Sequence, residues 1–181
     1  TLEADEIAEL APDLPQEVMD DVFQPCADLL AANPLARVPV ASLRSGVHIC
    51  ESQQILNAAI GERPTPEEAA ISGLATGLCD KIVERLLESQ RPRDKQDLDL
   101  FSDFERLLPP TLETIERWAS LLQPISPNAP LRQAVVDAGV TLAYLSLRVS
   151  DDWRKSHPSC SRLLEALESR ESFKKTAPPR P

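Results

Sequence analysis

Residues 33–55 of the chain are NPLARVPVASLRSGVHICESQQI, and this stretch decides the fold. Residues 37–41 and 47–50 are short apolar runs on either side of the turn 44–46, which contains Gly46. Such a pattern predicts two short strands joined by a turn. Glu51-Ser52 then begins a predicted helix whose apolar positions are Ile55, Ala58 and Ala59.

Proline is frequent upstream of this stretch and within it. Proline interrupts helices and strand ladders, so the first part of the chain is predicted to consist of short elements. We expect a short strand at residues 7–11 and a weak helix or loop at residues 16–30 that breaks near Pro25. The prolines concerned are Pro12, Pro15, Pro25, Pro34 and Pro39.

The second part of the chain carries longer helical periodicity. Thr65-Pro66-Glu67-Glu68 is a strong helix start, because the threonine can cap the helix, the second glutamate can reach back, and proline suits the first helical position. The apolar spacing continues as far as residues 91–93. The next helix, residues 98–108, is expected to stop or kink at Pro109-Pro110 and to restart at Thr111.

Pro124, Pro127 and Pro130 predict a loop, and the helix predicted after it at residues 131–147 is the least polar of the chain. A helix that is apolar almost all round is a buried one. Gly139 lies inside it, where glycine is unfavourable unless close packing requires it. A last helix is predicted from Pro158 with an apolar face of Leu163, Leu164 and Leu167, followed by a frayed tail at residues 177–181. Together these helices predict a five- or six-helix bundle.

Composition excludes several classes of function. The chain has 181 residues, of which 42% are hydrophobic and 27% charged, as in soluble globular proteins. Its net charge of −10 would repel a nucleic-acid backbone, and no apolar run is long enough to predict a membrane span. The cysteines are scattered without a metal-binding spacing, so we expect no metal site and a reducing, cytoplasmic location. They are Cys26, Cys50, Cys79 and Cys160.

Three stretches, in this order, resemble the glutathione S-transferase family. Residues 33–40 are similar to the family's N-P-L-G-K-V-P-x segment, and residues 50–55 to its [ED]-S-x-x-I segment. Residues 144–148, with Trp153-Arg154, Pro158 and residues 170–178, resemble the ending Y-L-x-x-R, W-R, P and R-P-S-F-x-x-T-x-P of bacterial-type members. The resemblance implies an α+β fold. An incomplete thioredoxin-like, glutathione-binding domain at residues 1–62 would precede an all-α helical-bundle domain at residues 63–181.

The resemblance assigns the first part of a glutathione site to Arg37, Val38 and Pro39. In the family this proline is cis, which would leave the Val38 backbone free to pair with the cysteinyl part of glutathione, as in strand addition. Taken alone, the dipeptide would predict an ordinary trans proline at the start of a strand. Arg37 stands at the family's lysine position and could bind the glycyl carboxylate, or it could be a solvated surface residue.

The resemblance assigns the γ-glutamyl part of glutathione to Glu51 and Ser52. A hydroxyl and free amides at a helix N-terminus can hold a carboxylate, and an adjacent acid can accept from an ammonium group. The alternative is a simple helix cap, because the same residue types favour that position.

The other candidate residues are expected to have structural roles. Tyr144 is predicted to lie in the core, and Cys50 to be a small buried apolar residue, not a nucleophile. Trp118 and Trp153 are predicted to anchor the packing of the helical part.

By resemblance, the protein is expected to be a homodimeric transferase with glutathione as co-substrate, which joins the thiol to a hydrophobic electrophilic small molecule. We expect the first strand and most of the first helix of the family fold to be missing, and with them the residue that activates the thiol. The catalytic residue is therefore unassigned. An alternative is a non-catalytic interaction or regulatory module. A third possibility is an unrelated helical scaffold whose motifs match by coincidence.

Overall fold

A computed structural model describes residues 24–43, 45–60, 64–122, 125 and 130–177. The chain divides into two compact units, Thr1–Arg63 and Pro64–Pro181. The domain border predicted between residues 62 and 63 lies outside the described residues, as do the strand predicted at residues 7–11 and most of the helix or loop predicted at residues 16–30. These stay predictions.

The first unit contains a short antiparallel hairpin between two short helices. In chain order the elements are α1 (Ala27–Ala32), β1 (Val40–Ser42), β2 (His48–Cys50) and α2 (Ser52–Ile60). The strand–turn–strand–helix order predicted from the sequence is confirmed. Strand β1 begins at Val40, later than expected, because Pro39 has no N–H to give to a strand ladder.

The turn of the hairpin fixes the register of its strands. Gly46 has φ +83° and donates its N–H to the Leu43 carbonyl at 2.9 Å. Leu43 donates in turn to the Val47 carbonyl at 2.8 Å. The pairing then runs from Ser42 with His48 to Val40 with Cys50.

Helix α2 buries Ile55 and Leu56, which are 4% and 0% exposed. Of the apolar positions that the sequence analysis named in this helix, Ile55 is buried and Ala58 is exposed. The free energy of burial grows with apolar area, so the leucine is buried in preference to the alanine.

In its described residues the second unit contains helices and connecting segments but no strand, as predicted. Its elements are α3 (Pro66–Ser89), α4 (Leu98–Ala119), α5 (Gln133–Arg148), α6 (Trp153–Ser156), α7 (Pro158–Glu168) and α8 (Glu171–Thr176), with a 3₁₀ turn at Arg93–Lys95. Helix α5 packs against α3 and α7, and α4 packs against the same two helices. Helix α8 was not predicted. No helix among the described residues is both long and apolar enough to cross a membrane.

The predicted capping box at the start of α3 is present. The Thr65 hydroxyl accepts the Glu68 N–H at 3.3 Å, and the Glu68 carboxylate accepts the Thr65 N–H at 2.9 Å. The same carboxylate accepts from Arg132 Nη2 at 2.7 Å. Arg132 is the residue immediately before α5. Its hydrogen bond to Glu68 therefore links the start of α5 to the start of α3.

Of the stop or kink expected at Pro109-Pro110, the stop is wrong, since α4 runs through both prolines. A proline inside a helix costs about 3 kcal/mol. Burial of a large apolar side chain contributes about 1.5–3 kcal/mol, and three such side chains of α4 are buried on both sides of the prolines. Both prolines are exposed, so water can reach the carbonyl groups that they leave without a donor. The buried side chains are Phe104, Leu112 and Ile115.

Helix α5 is the buried helix that its composition predicts. Thr141 is 2% exposed, and its hydroxyl donates to the Ala75 carbonyl of α3 at 3.0 Å. Gly139 faces Leu167 of α7 so closely that an added Cβ would overlap the Leu167 Cδ1 atom. Close packing therefore explains the glycine in this helix.

We expect Gly139→Ala to lower the free energy of unfolding by about 1–3 kcal/mol, because the fully buried Leu167 side chain would have to shift to make room for the added Cβ. Urea unfolding measures the change. Gly77→Ala in α3 is the matched control, because a Cβ there would meet no atom within 4 Å. The control should be neutral or stabilising by up to about 1 kcal/mol. Equal destabilisation by both variants would contradict this account of Gly139.

Glu116 of α4 caps the N-terminus of α7. Its Oε1 accepts the Ser159 N–H at 2.7 Å and its Oε2 accepts the Cys160 N–H at 2.8 Å. Partial burial acts to raise the pKa of Glu116, but the hydrogen bonds from Cys160 and Ser159 outweigh it, so the pKa lies below its ordinary value. A negative charge at a helix N-terminus is also favoured by the helix dipole.

This lowered pKa predicts a loss of stability in acid. The contribution of Glu116 is complete above its ordinary pKa of 4.5 and is lost as the pH falls through the lower folded-state value. We expect Glu116→Gln to be less stable at neutral pH and to show a shallower loss of stability from about pH 6 to about pH 3. Urea unfolding across this range tests it. Glu113→Gln, an exposed change on the same helix, should keep the wild-type profile.

Candidate functional site

The register of the hairpin brings the two sequence motifs of the first unit to one end. Val40 pairs with Cys50, so Pro39 and Glu51 are the next residues beyond the last pair on their two strands. Cα atoms of paired residues lie about 4.5–5.5 Å apart, which sets the scale of the separation at this end. The segments Val38-Pro39 and Glu51-Ser52 therefore leave the ladder side by side.

The Val38–Pro39 peptide bond is cis. Val38 is 45% exposed, and neither its N–H nor its carbonyl group hydrogen-bonds to another described residue. This backbone is a short open edge next to the hairpin, where a peptide-like ligand can pair.

Glu51 links β2 to α2 in a left-handed conformation, with φ +73°. Its carbonyl accepts the N–H groups of Gln54 and Ile55, each at 3.1 Å, so the first turn of α2 is built on it. A residue other than glycine pays about 1–2 kcal/mol for this conformation. Residues held in this way are concentrated at ligand sites.

The side chains of Glu51 and Ser52 have no partner within the described part of the chain. No hydrogen bond joins the Glu51 carboxylate or the Ser52 hydroxyl to another described residue. Neither side chain therefore caps α2 through a described backbone N–H. Ser52 is the first residue of the helix, where backbone N–H groups and the helix dipole favour an anion.

Arg37 is exposed and forms no ion pair with a described residue. Its guanidinium group is thus available next to Val38. This exposure is expected both of a residue that binds the glycyl carboxylate and of a solvated surface residue. Its carbonyl group, in contrast, accepts the side-chain amide of Asn33 at 2.9 Å.

Sequence reasoning missed the role of Asn33, which is only 5% exposed. Its side-chain oxygen accepts the Leu35 N–H at 3.1 Å, which makes an Asx turn. An asparagine followed by proline at the end of a helix is the signal that could have predicted such a turn.

The chain resembles known proteins in sequence and in fold. No family profile matches the chain. It is 28% identical to YibF, an uncharacterised GST-like protein of Escherichia coli K12, over 82% of this chain and 78% of that protein. A glutathione S-transferase of Methylobacterium radiotolerans, solved in complex with glutathione sulfonate, is 27% identical with a TM-score of 0.77 over 98% of this chain and 91% of that one. In sequence and fold the chain is similar to glutathione S-transferases.

A second solved structure supports the fold. A glutathione S-transferase of Methylobacillus flagellatus, with glutathione bound, is 23% identical with a TM-score of 0.82 over 98% of this chain and 94% of that one. The α+β fold class predicted from the sequence is confirmed, with a thioredoxin-like unit followed by a helical bundle as in the glutathione S-transferases of similar structure.

The remaining candidates from the sequence have structural surroundings. Trp153 is buried at 7% exposure and donates to the Ser146 hydroxyl at 3.2 Å, as expected of a packing anchor. Trp118 and Tyr144 are only half-buried, so the predicted core position of Tyr144 is wrong. The Arg148 guanidinium lies 5.5 Å from the centre of the Tyr144 ring, within the range of a cation–π contact.

Cys160 and Cys50 differ in their surroundings. Cys160 is fully buried, and burial raises the pKa of its thiol, which keeps it neutral. Cys50 is half-buried, less than predicted, with its sulfur 4.0 Å from the Ala32 carbonyl. Among the residues that the structure describes, no group of three or more His, Cys, Asp or Glu side chains could hold a metal ion.

The left-handed conformation of Glu51 predicts an unusual order of stability at this position. Glu51→Gly should be more stable than Glu51→Ala by about 1 kcal/mol, because glycine adopts φ +73° without steric cost. Urea unfolding of the two variants gives the difference. At Glu84, an exposed residue inside α3, the same pair should show the opposite order by a similar amount. Alanine proving the better residue at both positions would contradict the strain at Glu51.

Proposed function

We propose that this protein binds glutathione at the end of the β1–β2 hairpin and joins its thiol to an electrophilic small molecule. The observation that carries the proposal is the juxtaposition of two open groups, the Val38 backbone before the cis proline and the Glu51-Ser52 pair at the start of α2. Two glutathione S-transferases of similar structure hold glutathione or glutathione sulfonate.

The middle of the ligand pairs with Val38. Glutathione is a tripeptide, so its cysteinyl residue has one N–H and one carbonyl group that can form a two-bond ladder with the Val38 N–H and carbonyl. Such pairing places the thiol beside the hairpin without a side-chain contact to the sulfur.

The γ-glutamyl end of the ligand binds at Glu51-Ser52. This end carries a carboxylate and an ammonium group on one carbon atom. The Ser52 hydroxyl and the N-terminus of α2 suit the carboxylate, and the Glu51 carboxylate suits the ammonium group. The two charged groups of the ligand thus bind to adjacent residues, the carboxylate to Ser52 and the ammonium group to Glu51.

The glycyl carboxylate at the other end is assigned to Arg37. A guanidinium group can bind a carboxylate with two parallel hydrogen bonds. Its exposure and its lack of an ion pair with a described residue support this assignment. The site would then use a cation at one end of the ligand and an anion with a hydroxyl at the other.

The reaction proposed is conjugation. The thiol loses its proton to water, and the thiolate attacks an electrophilic carbon of a hydrophobic substrate. A carbon–sulfur bond forms as the bond from that carbon to its leaving group breaks, so that an aryl halide releases halide ion. Lowering the pKa of the bound thiol increases the fraction of thiolate at neutral pH. We further propose a cytoplasmic homodimer that detoxifies such compounds, as the resemblance to the family favours.

Calorimetry with reduced glutathione tests the site directly. We expect saturable binding by the wild type and binding about ten- to a hundredfold weaker by Ser52→Ala, because a hydrogen bond to a charged group contributes about 1.5–3 kcal/mol. Ser45→Ala is the matched control, since it makes the same chemical change at the other end of the hairpin. It should bind as the wild type does.

The outcomes separate the two functional hypotheses. Binding together with turnover of a model aryl halide supports a transferase. Binding without turnover favours the alternative of a non-catalytic glutathione-binding module. A folded wild-type protein that does not bind glutathione would rule out the proposed site, and equal weakening by both serine variants would rule out the assignment to Ser52.

A further inference from the structure

Asn33 is a buried polar residue in an otherwise exposed loop. It is 5% exposed, whereas Pro34, Leu35 and Arg37, which follow it, are exposed. A polar side chain is buried at a net cost unless its hydrogen bonds are made. The hydrogen bonds of Asn33 must therefore offset the cost of burying its side chain.

All the hydrogen-bonding groups of Asn33 are used inside this segment. Its N–H donates to the Leu29 carbonyl at 2.7 Å, and its carbonyl accepts the Ala36 N–H at 2.9 Å. Its side-chain oxygen accepts the Leu35 N–H at 3.1 Å, and its side-chain amide donates to the Arg37 carbonyl at 2.9 Å. One residue thus organises the whole loop between α1 and Val38.

The bond to Arg37 also fixes the next residue. The Arg37 carbonyl and the Val38 N–H belong to one peptide group, which is trans, since the only cis bond among the described residues follows Val38. The group is planar, so its carbonyl and N–H point in opposite directions. When Asn33 holds the carbonyl toward the loop, the Val38 N–H must point away from the loop.

We propose that Asn33 is a positioning residue for glutathione binding, which orients the Val38 N–H through the shared peptide group. This inference rests on the proposed function, because Val38 is the residue assigned to the cysteinyl part of the ligand. Asn33 itself touches no ligand. It removes the rotational freedom of the peptide group before the ligand arrives, so the ligand does not have to order it.

Two substitutions remove the bond to the Arg37 carbonyl in different ways. Asn33→Asp keeps the size and an acceptor for the Leu35 N–H but loses the donor. Asn33→Ser is uncharged and keeps a turn-forming hydroxyl that is too short to replace the amide. Leu35→Ala is the control within the same loop, because that side chain is 75% exposed.

The first measurement is calorimetry with reduced glutathione on full-length chains shown to be folded by urea unfolding. Both Asn33 variants should bind about five- to tenfold more weakly, as expected for one lost hydrogen bond, and Leu35→Ala should bind normally. Combining Asn33→Asp with Ser52→Ala should multiply the two losses, because the residues serve different parts of the ligand.

The second measurement is amide hydrogen exchange at Val38, which a general loss of stability would not change selectively. Saturating glutathione should slow this exchange in the wild type and in Leu35→Ala, and slow it much less in the folded Asn33 variants. Folded variants with wild-type affinity and wild-type protection would overturn the inference alone. Loss of folding in both variants would also overturn it, because Asn33 would then have no role separable from stability. Absence of binding by the wild type would instead overturn the proposed function.

Discussion

The antiparallel register of one short hairpin sets the geometry of the whole candidate site. Because Val40 pairs with Cys50, the residues on either side of the cis proline leave the ladder beside the start of α2. A shift of one residue would move every side chain to the other face of its strand. Three residues on each strand contribute few bonds, so the turn at Gly46 and the buried side chains of α2 must hold the register from its two ends.

The two units use their carboxylates in opposite ways. In the helical unit Glu68 and Glu116 accept backbone N–H groups at helix starts, and Glu88 accepts the Asp97 N–H at 2.6 Å between α3 and α4. These acids hold helices in place. The Glu51 carboxylate pairs with no described residue, and the Glu51 backbone occupies a conformation that costs free energy. Local strain next to unused polar groups is typical of a ligand site, whereas satisfied carboxylates indicate structure.

The sequence predicted those features that depend on neighbours along the chain. The capping box at Thr65 and the turn at Gly46 are local, and both were found where they were predicted. The helix does not stop at Pro109-Pro110 because burial of side chains on both sides of the prolines outweighs the local cost, and burial against other helices cannot be derived from local spacing. The hydrogen bond from Asn33 to Arg37 depends on the path of a loop, which periodicity does not describe.

The proposed contacts to glutathione depend on few side chains. Pairing with the cysteinyl residue needs only the backbone of Val38, and attraction of the γ-glutamyl carboxylate depends partly on the backbone N–H groups of α2. Few side chains are then specified: the proline that follows Val38, the acid and hydroxyl at Glu51 and Ser52, and the asparagine that orients the Val38 peptide group. The rest of the chain is constrained only to keep these backbone segments in place. Relatives that share 23–28% of their residues with this chain can therefore differ widely in the helical unit, and selectivity for the electrophile is where we expect them to diverge.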